Sequence, residues 1–281
     1  MFSAIGVRLY RLSADTVEAL EASTSKSIDI ALLRGSVYDC EMRLLTNSEY
    51  ELYAAAKPSN EALAMLKGKV LPDVFESVMN RMSKGNPIAV KVDSETGNTD
   101  GIVTVQVAER YSKSSLACHI IGYLDSQGNG ISGVEKSYND ILSLNNSTVG
   151  FRFCANARGK VMMGEGIEVY GNNVPRNGVI LTIDKNVQQI TEAVLDASGA
   201  DCAAAVVIEI ESGAIRACVS RPKFNQKDIA SSLSNEKSPL INRAFLPFSV
   251  GSVFKPIVAA AALENGIDES FEYNCTGSVM Y

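Results

Sequence analysis

Ser252 and Lys255 stand three residues apart at the head of an apolar run, Ile257-Val258-Ala259-Ala260-Ala261-Ala262-Leu263-Glu264. A serine hydroxyl is a poor nucleophile at neutral pH and needs a base beside it. On a helix, residues three apart share a face, so a neutral Lys255 amine would lie next to the Ser252 hydroxyl and take its proton. The chemistry open to such a pair is acyl transfer through a serine ester. The spacing alone is weak evidence, because Ser23, Ser220, Ser234 and Ser252 all have lysine three residues on. Ser23 lies in a polar run without apolar periodicity. Pro222 biases the residues after Ser220 toward an extended or turn conformation. Ser234 falls within the polar stretch 231–239, which reads as a loop. Only Ser252 leads into a helical run, closed by Asn265-Gly266, with the helix starting at about Ser252 or Val253 and Pro256 in its first turn. Gly251 permits a tight bend and a close backbone approach by a substrate. The competing reading makes Ser252 a helix N-cap and Lys255 a solvated charge.

The surrounding sequence favours chemistry. The segment Asn242-Arg243-Ala244-Phe245-Leu246-Pro247-Phe248-Ser249-Val250-Gly251-Ser252-Val253-Phe254-Lys255 resembles the active-site segment of class B penicillin-binding proteins, the monofunctional peptidoglycan transpeptidases. Val250 stands where that family usually has proline. Further blocks occur in family order. Arg34-Gly35-Ser36-Val37-Tyr38-Asp39 is similar to the start of the family's pedestal. His119-Ile120-Ile121-Gly122-Tyr123, with Gly130-Ile131-Ser132-Gly133-Val134-Glu135, resembles another pedestal block. Leu181-Thr182-Ile183-Asp184 and the run Ala204–Ile215 look like the entry and first hairpin of the transpeptidase domain.

The resemblance implies a D,D-transpeptidase acting on peptidoglycan stem peptides that end in D-Ala-D-Ala. Ser252 would be the nucleophile and Lys255 the general base, with the Ser252 amide as an oxyanion donor. Gly251, Asn242, Arg243 and Phe254 would be supporting residues, and Phe254 and Phe248 would partly desolvate the lysine. β-Lactams would acylate the same serine, other cell-wall synthesis proteins would be partners, and no cofactor or metal is implied. The family's later motifs, Ser-x-Asn and Lys-Thr/Ser-Gly, follow the Ser-x-x-Lys helix at a distance, and neither Lys-Thr-Gly nor Lys-Ser-Gly occurs in these 281 residues. The chain by itself is therefore expected to be inactive. Two alternatives remain open: a non-catalytic β-lactam sensor or cell-wall docking module, and a serine β-lactamase.

Composition agrees with a soluble globular protein. Hydrophobic residues make up 46% and charged residues 21%, and 26 basic against 32 acidic residues give a net charge of −6. With no Lys/Arg-rich block, nucleic-acid binding is not expected. No apolar stretch reaches the ~18 residues that cross a bilayer, and Met1–Arg8 is too short for a secretory signal. The family's place is the outer face of the bacterial cytoplasmic membrane, held by an N-terminal anchor, so the chain reads as a soluble form or a piece that begins after such an anchor. Six cysteines form no Cys-x-x-Cys pair, so zinc is improbable, and they read as buried free thiols rather than disulfides. His119, the single histidine, lies in a strand-like run and reads as structural.

The elements that must position the pair divide at a turn-rich stretch, 171–178. Residues 1–175 read as an α+β pedestal of the dimerisation type, and 176–281 as the truncated opening of a penicillin-recognising transpeptidase domain, an antiparallel sheet with helices. In the pedestal, Ile88–Val92 and Ile102–Val107 read as strands joined in a hairpin. Helices are expected over Pro72–Met82 and from Gly133 to about Leu144. In the second part, Asp184 is placed to cap a helix whose face is Val187, Ile190 and Val194. A hairpin over Ala203–Val219 turns at Glu211-Ser212-Gly213.

Overall fold

Ala54, Ala55 and Ala56 are all fully buried, and the architecture of the pedestal follows from what covers them. They end β3 (Glu49–Ala56), which pairs antiparallel with both β4 (Ile88–Val92) and β5 (Ile102–Glu109). Successive residues of a strand face opposite sides. Ala54 and Ala56 pack with Leu66, Val78 and Met82 of α1 (Asn60–Leu66) and α2 (Pro72–Ser83). Ala55 packs with Phe151 and Phe153 on the other side. Those phenylalanines belong to β6 (Ser147–Cys154), the middle strand of a second antiparallel sheet with β1 (Ser25–Leu33) and β7 (Ile167–Tyr170). Helices, sheet and sheet thus form three layers, and only alanine fits the middle strand where both neighbours press on it.

The computed structural model describes residues 25–272 together with 274, 276 and 277; Ser23, Cys275 and the stretch Met1–Arg8 lie outside the described residues. Two compact units are present, Met1–Ala244 and Phe245–Tyr281. The expected boundary near residue 175 lies inside the first. There the parallel pair β2 (Ser36–Tyr38) and β8 (Gly178–Ile180) joins the two sides of that boundary.

Several expectations are corrected. β4 and β5 do not form a hairpin, because β3 lies between them. The helix after Gly133 is broken at Tyr138 into α4 (Gly133–Ser137) and α5 (Asn139–Ser143). The cause is local: the Glu135 carbonyl, which would accept from the Asn139 amide in a continuous helix, accepts instead from the Arg34 guanidinium at 3.3 Å. His119 is not in a strand but in a one-turn helix, α3 (Cys118–Ile121), bounded by left-handed Ala117 and by Gly122, φ +83°. Cys40, Cys118, Cys154, Cys202 and Cys218 are free thiols. Cys118 and Cys218 are buried, but Cys154 and Cys202 are exposed.

Beyond β8, Asp184 caps α6 (Lys185–Ala197), its carboxylate accepting from the Asn186 and Val187 amides. The buried face of α6 is not the apolar one: Gln188 is fully buried, whereas Ile190 and Val194 are 63% and 65% exposed. Gln188 faces inward because it serves β10 (Ile215–Arg221). Its carbonyl accepts from the Cys218 amide at 2.9 Å and its amide donates to the Cys218 carbonyl at 3.2 Å. That side chain satisfies the edge of β10 opposite its antiparallel partner β9 (Ala203–Ile208). The β9–β10 turn runs through Gly213 as expected, at φ +71°.

Candidate active site

Two blocks that lie far apart in sequence meet first. The Glu135 carboxylate, fully buried, accepts from Arg34 Nε at 3.1 Å, Arg110 Nε at 2.7 Å and the Tyr111 hydroxyl at 3.2 Å. Burial and the neighbouring carboxylate push the Tyr111 pKa up. Nearby, Asp39 joins the pedestal to α6. Its carboxylate accepts from the amides of Glu41, Arg43 and Lys185, and from Arg43 Nε at 2.6 Å. Burial alone would raise its pKa, but the Lys185 and Arg43 hydrogen bonds outweigh it and hold the carboxyl below its usual range. Arg43 reaches on to Asp184 at 3.0 Å, and the Lys185 ammonium donates to the Leu44 carbonyl at 2.8 Å. Arg34, Asp39 and Glu135 were visible in the sequence as members of ordered blocks. Arg110 and Arg43 were not, because neither has a local pattern that announces its partner.

The run toward Ser252 leaves β10. Ser220 is 1% exposed, and its hydroxyl donates to the Ile241 carbonyl at 3.1 Å while accepting from the Arg243 amide at 3.0 Å. One hydroxyl therefore closes the neck of the loop 221–242, a role that its spacing from Lys223 did not reveal. Lys223 itself donates to the Ser114 carbonyl. Ser234 follows α7 (Ala230–Leu233), and Lys237, three residues on, pairs with Asp201 at 2.7 Å. Both lysines are engaged elsewhere.

Asn242 and Arg243 shape the exit from this loop. The Asn242 side-chain carbonyl accepts from the Ala244 amide at 3.1 Å, holding a short 3-10 turn over Arg243–Phe245. Its side-chain amide is shielded from solvent and has no hydrogen-bond partner among the described residues. The Arg243 guanidinium donates to the carbonyls of Ser238 and Lys237. Its charge is spent on ordering the loop.

In the second unit, Gly251 has φ +53°, a conformation that a side chain would strain although the space for one is open. Gly251–Phe254 form a 3-10 turn, and the α-helix proper, α8 (Lys255–Glu264), begins only at Lys255. The expected start at Ser252 or Val253 is thus displaced by two or three residues. The Lys255 amide donates to the Ser252 carbonyl, a three-residue link of the 3-10 kind that ties the two residues of the pair together. Among the described residues neither side chain has a hydrogen-bond partner. The expected apolar shield around Lys255 is not formed: Phe248, Phe254 and Ile257 are 64%, 47% and 59% exposed, and Lys255 is itself exposed. Among the described residues no group of three or more His, Cys, Asp or Glu side chains could hold a metal ion.

The chain thus combines helices and mainly antiparallel sheets with a Ser-x-x-Lys pair. Residues 203–281 match the family described as Penicillin binding protein transpeptidase domain. Over that stretch the chain is similar to penicillin-binding transpeptidases. It is 32% identical over 174 residues to the peptidoglycan D,D-transpeptidase FtsI of Buchnera aphidicola, covering 59% of this chain and 29% of that relative. To penicillin-binding protein PbpB of Mycolicibacterium smegmatis it is 28% identical over 263 residues, 89% of this chain and 37% of that relative. The chain therefore spans about a third of the length of these curated relatives. The fold is similar to penicillin-binding protein PBP2 from Helicobacter pylori, with a TM-score of 0.51 at 19% identity over 88% of this chain and 55% of that one. A chain of a peptidoglycan synthase complex gives 0.52 at 20% identity over 94% and 54%.

Proposed function

We propose that this chain is the pedestal, residues 1–175, and the opening portion, residues 176–281, of a peptidoglycan D,D-transpeptidase. The observation that carries the reading is the left-handed Gly251 followed by a 3-10 turn in which the Lys255 amide donates to the Ser252 carbonyl, inside the stretch that matches the transpeptidase family. A neutral Lys255 amine takes the Ser252 proton as Oγ attacks the carbonyl between two terminal D-alanines. The oxyanion forms at the Ser252 amide, where the helix N-terminus favours negative charge. Collapse breaks the peptide bond, and the departing D-alanine amine leaves with the proton from Lys255. An amine of a neighbouring stem then attacks the serine ester, loses a proton to Lys255, and restores the hydroxyl. A β-lactam forms the same ester by opening its ring. The place of action is the outer face of the cytoplasmic membrane, with other cell-wall synthesis proteins as partners. Among the described residues no helix is long and apolar enough to cross a membrane.

Exposure of Lys255 favours a second reading for the 281 residues alone: a module that does not catalyse until further parts of the domain desolvate the lysine. Mass spectrometry of a penicillin adduct separates the two. In the full-length protein, Ser252 should be labelled. Both Ser252→Ala and Lys255→Arg should abolish labelling, since arginine keeps the charge but cannot deprotonate. Near-normal labelling of Lys255→Arg would remove lysine as the base. Stoichiometric labelling of the 281-residue chain would show that these residues already build a working site.

A further inference from the structure

One end of the layered first unit gathers positive charge in a chain whose net charge is −6. At the start of β1, Lys26 Nζ donates to the Asn86 side-chain carbonyl at 3.5 Å, just past the end of α2. Lys26, Ser27 and Arg81 line an open cleft of about 300 Å³ with Asn86 and Pro87. Lys84 follows on the cap of α2, three residues after Arg81. Beside Lys26 lies the turn Asn156–Lys160, where a Cβ placed on Gly159 would be 3.9 Å from Lys26 Cε. The Asn156 side-chain carbonyl holds that turn by accepting from the Arg158 and Lys160 amides. Of these five cations, Arg81, Lys84, Arg158 and Lys160 are exposed, and none of the five forms an ion pair among the described residues. The acids that share this end are Glu61, in the first turn of α1, and Glu165. The loop that carries Arg158 and Lys160 also presents apolar side chains. Met162 and Met163 are 44% and 49% exposed. Their backbone is anchored: fully buried Lys57 donates through its ammonium to the carbonyls of Met163, at 3.0 Å, and of Glu165. The chain is thus drawn inward while both thioethers stay outside.

We propose that this end of the pedestal docks on an anionic phospholipid surface, with a headgroup phosphate in the Lys26–Arg81 cleft and Met162 and Met163 at the headgroup boundary. The proposal rests on the place of action at the outer face of the cytoplasmic membrane, and it uses none of the serine chemistry. The cleft offers an ammonium, a guanidinium and the Ser27 hydroxyl, all of which can donate to phosphate oxygens. Clustered cations draw a protein to anionic lipid within about a Debye length, and apolar side chains beside them add insertion. A free polyanion would need the charges alone. The anchored, exposed methionines are what favour a lipid surface.

Sedimentation of the 281-residue chain with phosphatidylcholine vesicles that contain phosphatidylglycerol tests the docking. Binding should rise with the phosphatidylglycerol content and weaken as salt is raised. Lys26→Gln with Arg81→Gln should lower the partition coefficient roughly 20- to 30-fold, since each cation near such a surface contributes about fivefold. Lys67→Gln with Lys136→Gln makes the same charge change at exposed sites away from the cleft and should lower it less than about threefold, because distant charges are screened. Met162→Ser with Met163→Ser keeps the charge and should weaken binding roughly tenfold through lost apolar burial. Thermal unfolding midpoints that match the unaltered chain would show that the variants are folded. Equal losses for the two glutamine pairs would overturn the site, because net charge alone would then explain binding. An unaffected methionine variant would overturn the insertion. Failure to bind vesicles would overturn the docking, and binding of inorganic phosphate or of an anionic wall polymer in its place would leave the cleft as a site for a free anion or polymer only. Penicillin labelling is read independently, so failure of the docking and failure of the serine reading remain distinguishable.

Discussion

His119 illustrates how much a single neutral side chain can be asked to do. Burial, together with the positive charges of Arg221 and Arg243, holds its pKa below the usual 6.5 and outweighs the opposing pull of the Pro239 carbonyl and Glu192. The unfolded chain therefore binds a proton before the folded one does. Stability contributed by neutral His119 is complete above about pH 6.5 and is lost as pH falls from there toward the lower folded value. Asp39 acts in a separate window, since its lowered pKa makes its contribution fade only as pH falls below 3.8. Urea unfolding between pH 7.5 and 5.5 should show a decline in the unaltered chain that His119→Gln flattens; parallel curves would exclude His119 as its source. Nothing in the sequence announced this residue beyond its structural reading, for its partners Pro239 and Phe224 lie over a hundred residues away. Ser252 and Lys255, by contrast, were legible because their relation is local.

At the scale of elements, β3 decides the pedestal core. Leucine at Ala55 would press on Phe151 and Phe153 from a strand already covered on its other face. Overpacking of this kind costs about 1–3 kcal/mol. Tyr50→Ala on the same strand, at a site 60% exposed, should stay within about 0.5 kcal/mol. Chemical denaturation of the two variants checks the contrast, and an Ala55→Leu protein as stable as Tyr50→Ala would mean that the layers are not tightly packed. The alanines also explain why this strand escaped the sequence reading. They carry little strand preference of their own, so β4 and β5, rich in β-branched residues, looked like partners. α2 was legible from periodicity, as was the Asp184 cap. The 3-10 turn at Ser252 and the inward Gln188 were not, because tertiary hydrogen bonds and backbone strain decide them.

At the scale of the whole molecule, the apolar residues of α6, β9 and α8 remain largely exposed, with Ile190, Val206, Ile208 and Val258 all more than 40% accessible, whereas Leu66, Ile88, Ile102, Phe151 and Phe153 in the layered part are at most 1% exposed. The family blocks could not reveal that the loop 221–242 is built into the first unit, since only its contacts with α3 and Ser220 say so. One feature of that unit also imposes a schedule on synthesis. Strand β2 pairs with β8 about 140 residues later, and Asp39 and Cys40 complete their bonds only with Lys185 and Ile183. At roughly 5–20 residues per second, the segment around Asp39 waits about 7–30 s on the ribosome before its partners exist. A nascent chain with Cys40 as its sole cysteine should thus stay open to thiol reagents until residues near Val187 have emerged. Protection of Cys40 in chains that stop short of Ile180 would show instead that the segment folds locally; otherwise the segment around Asp39 is finished only once residues made about 140 positions later have appeared.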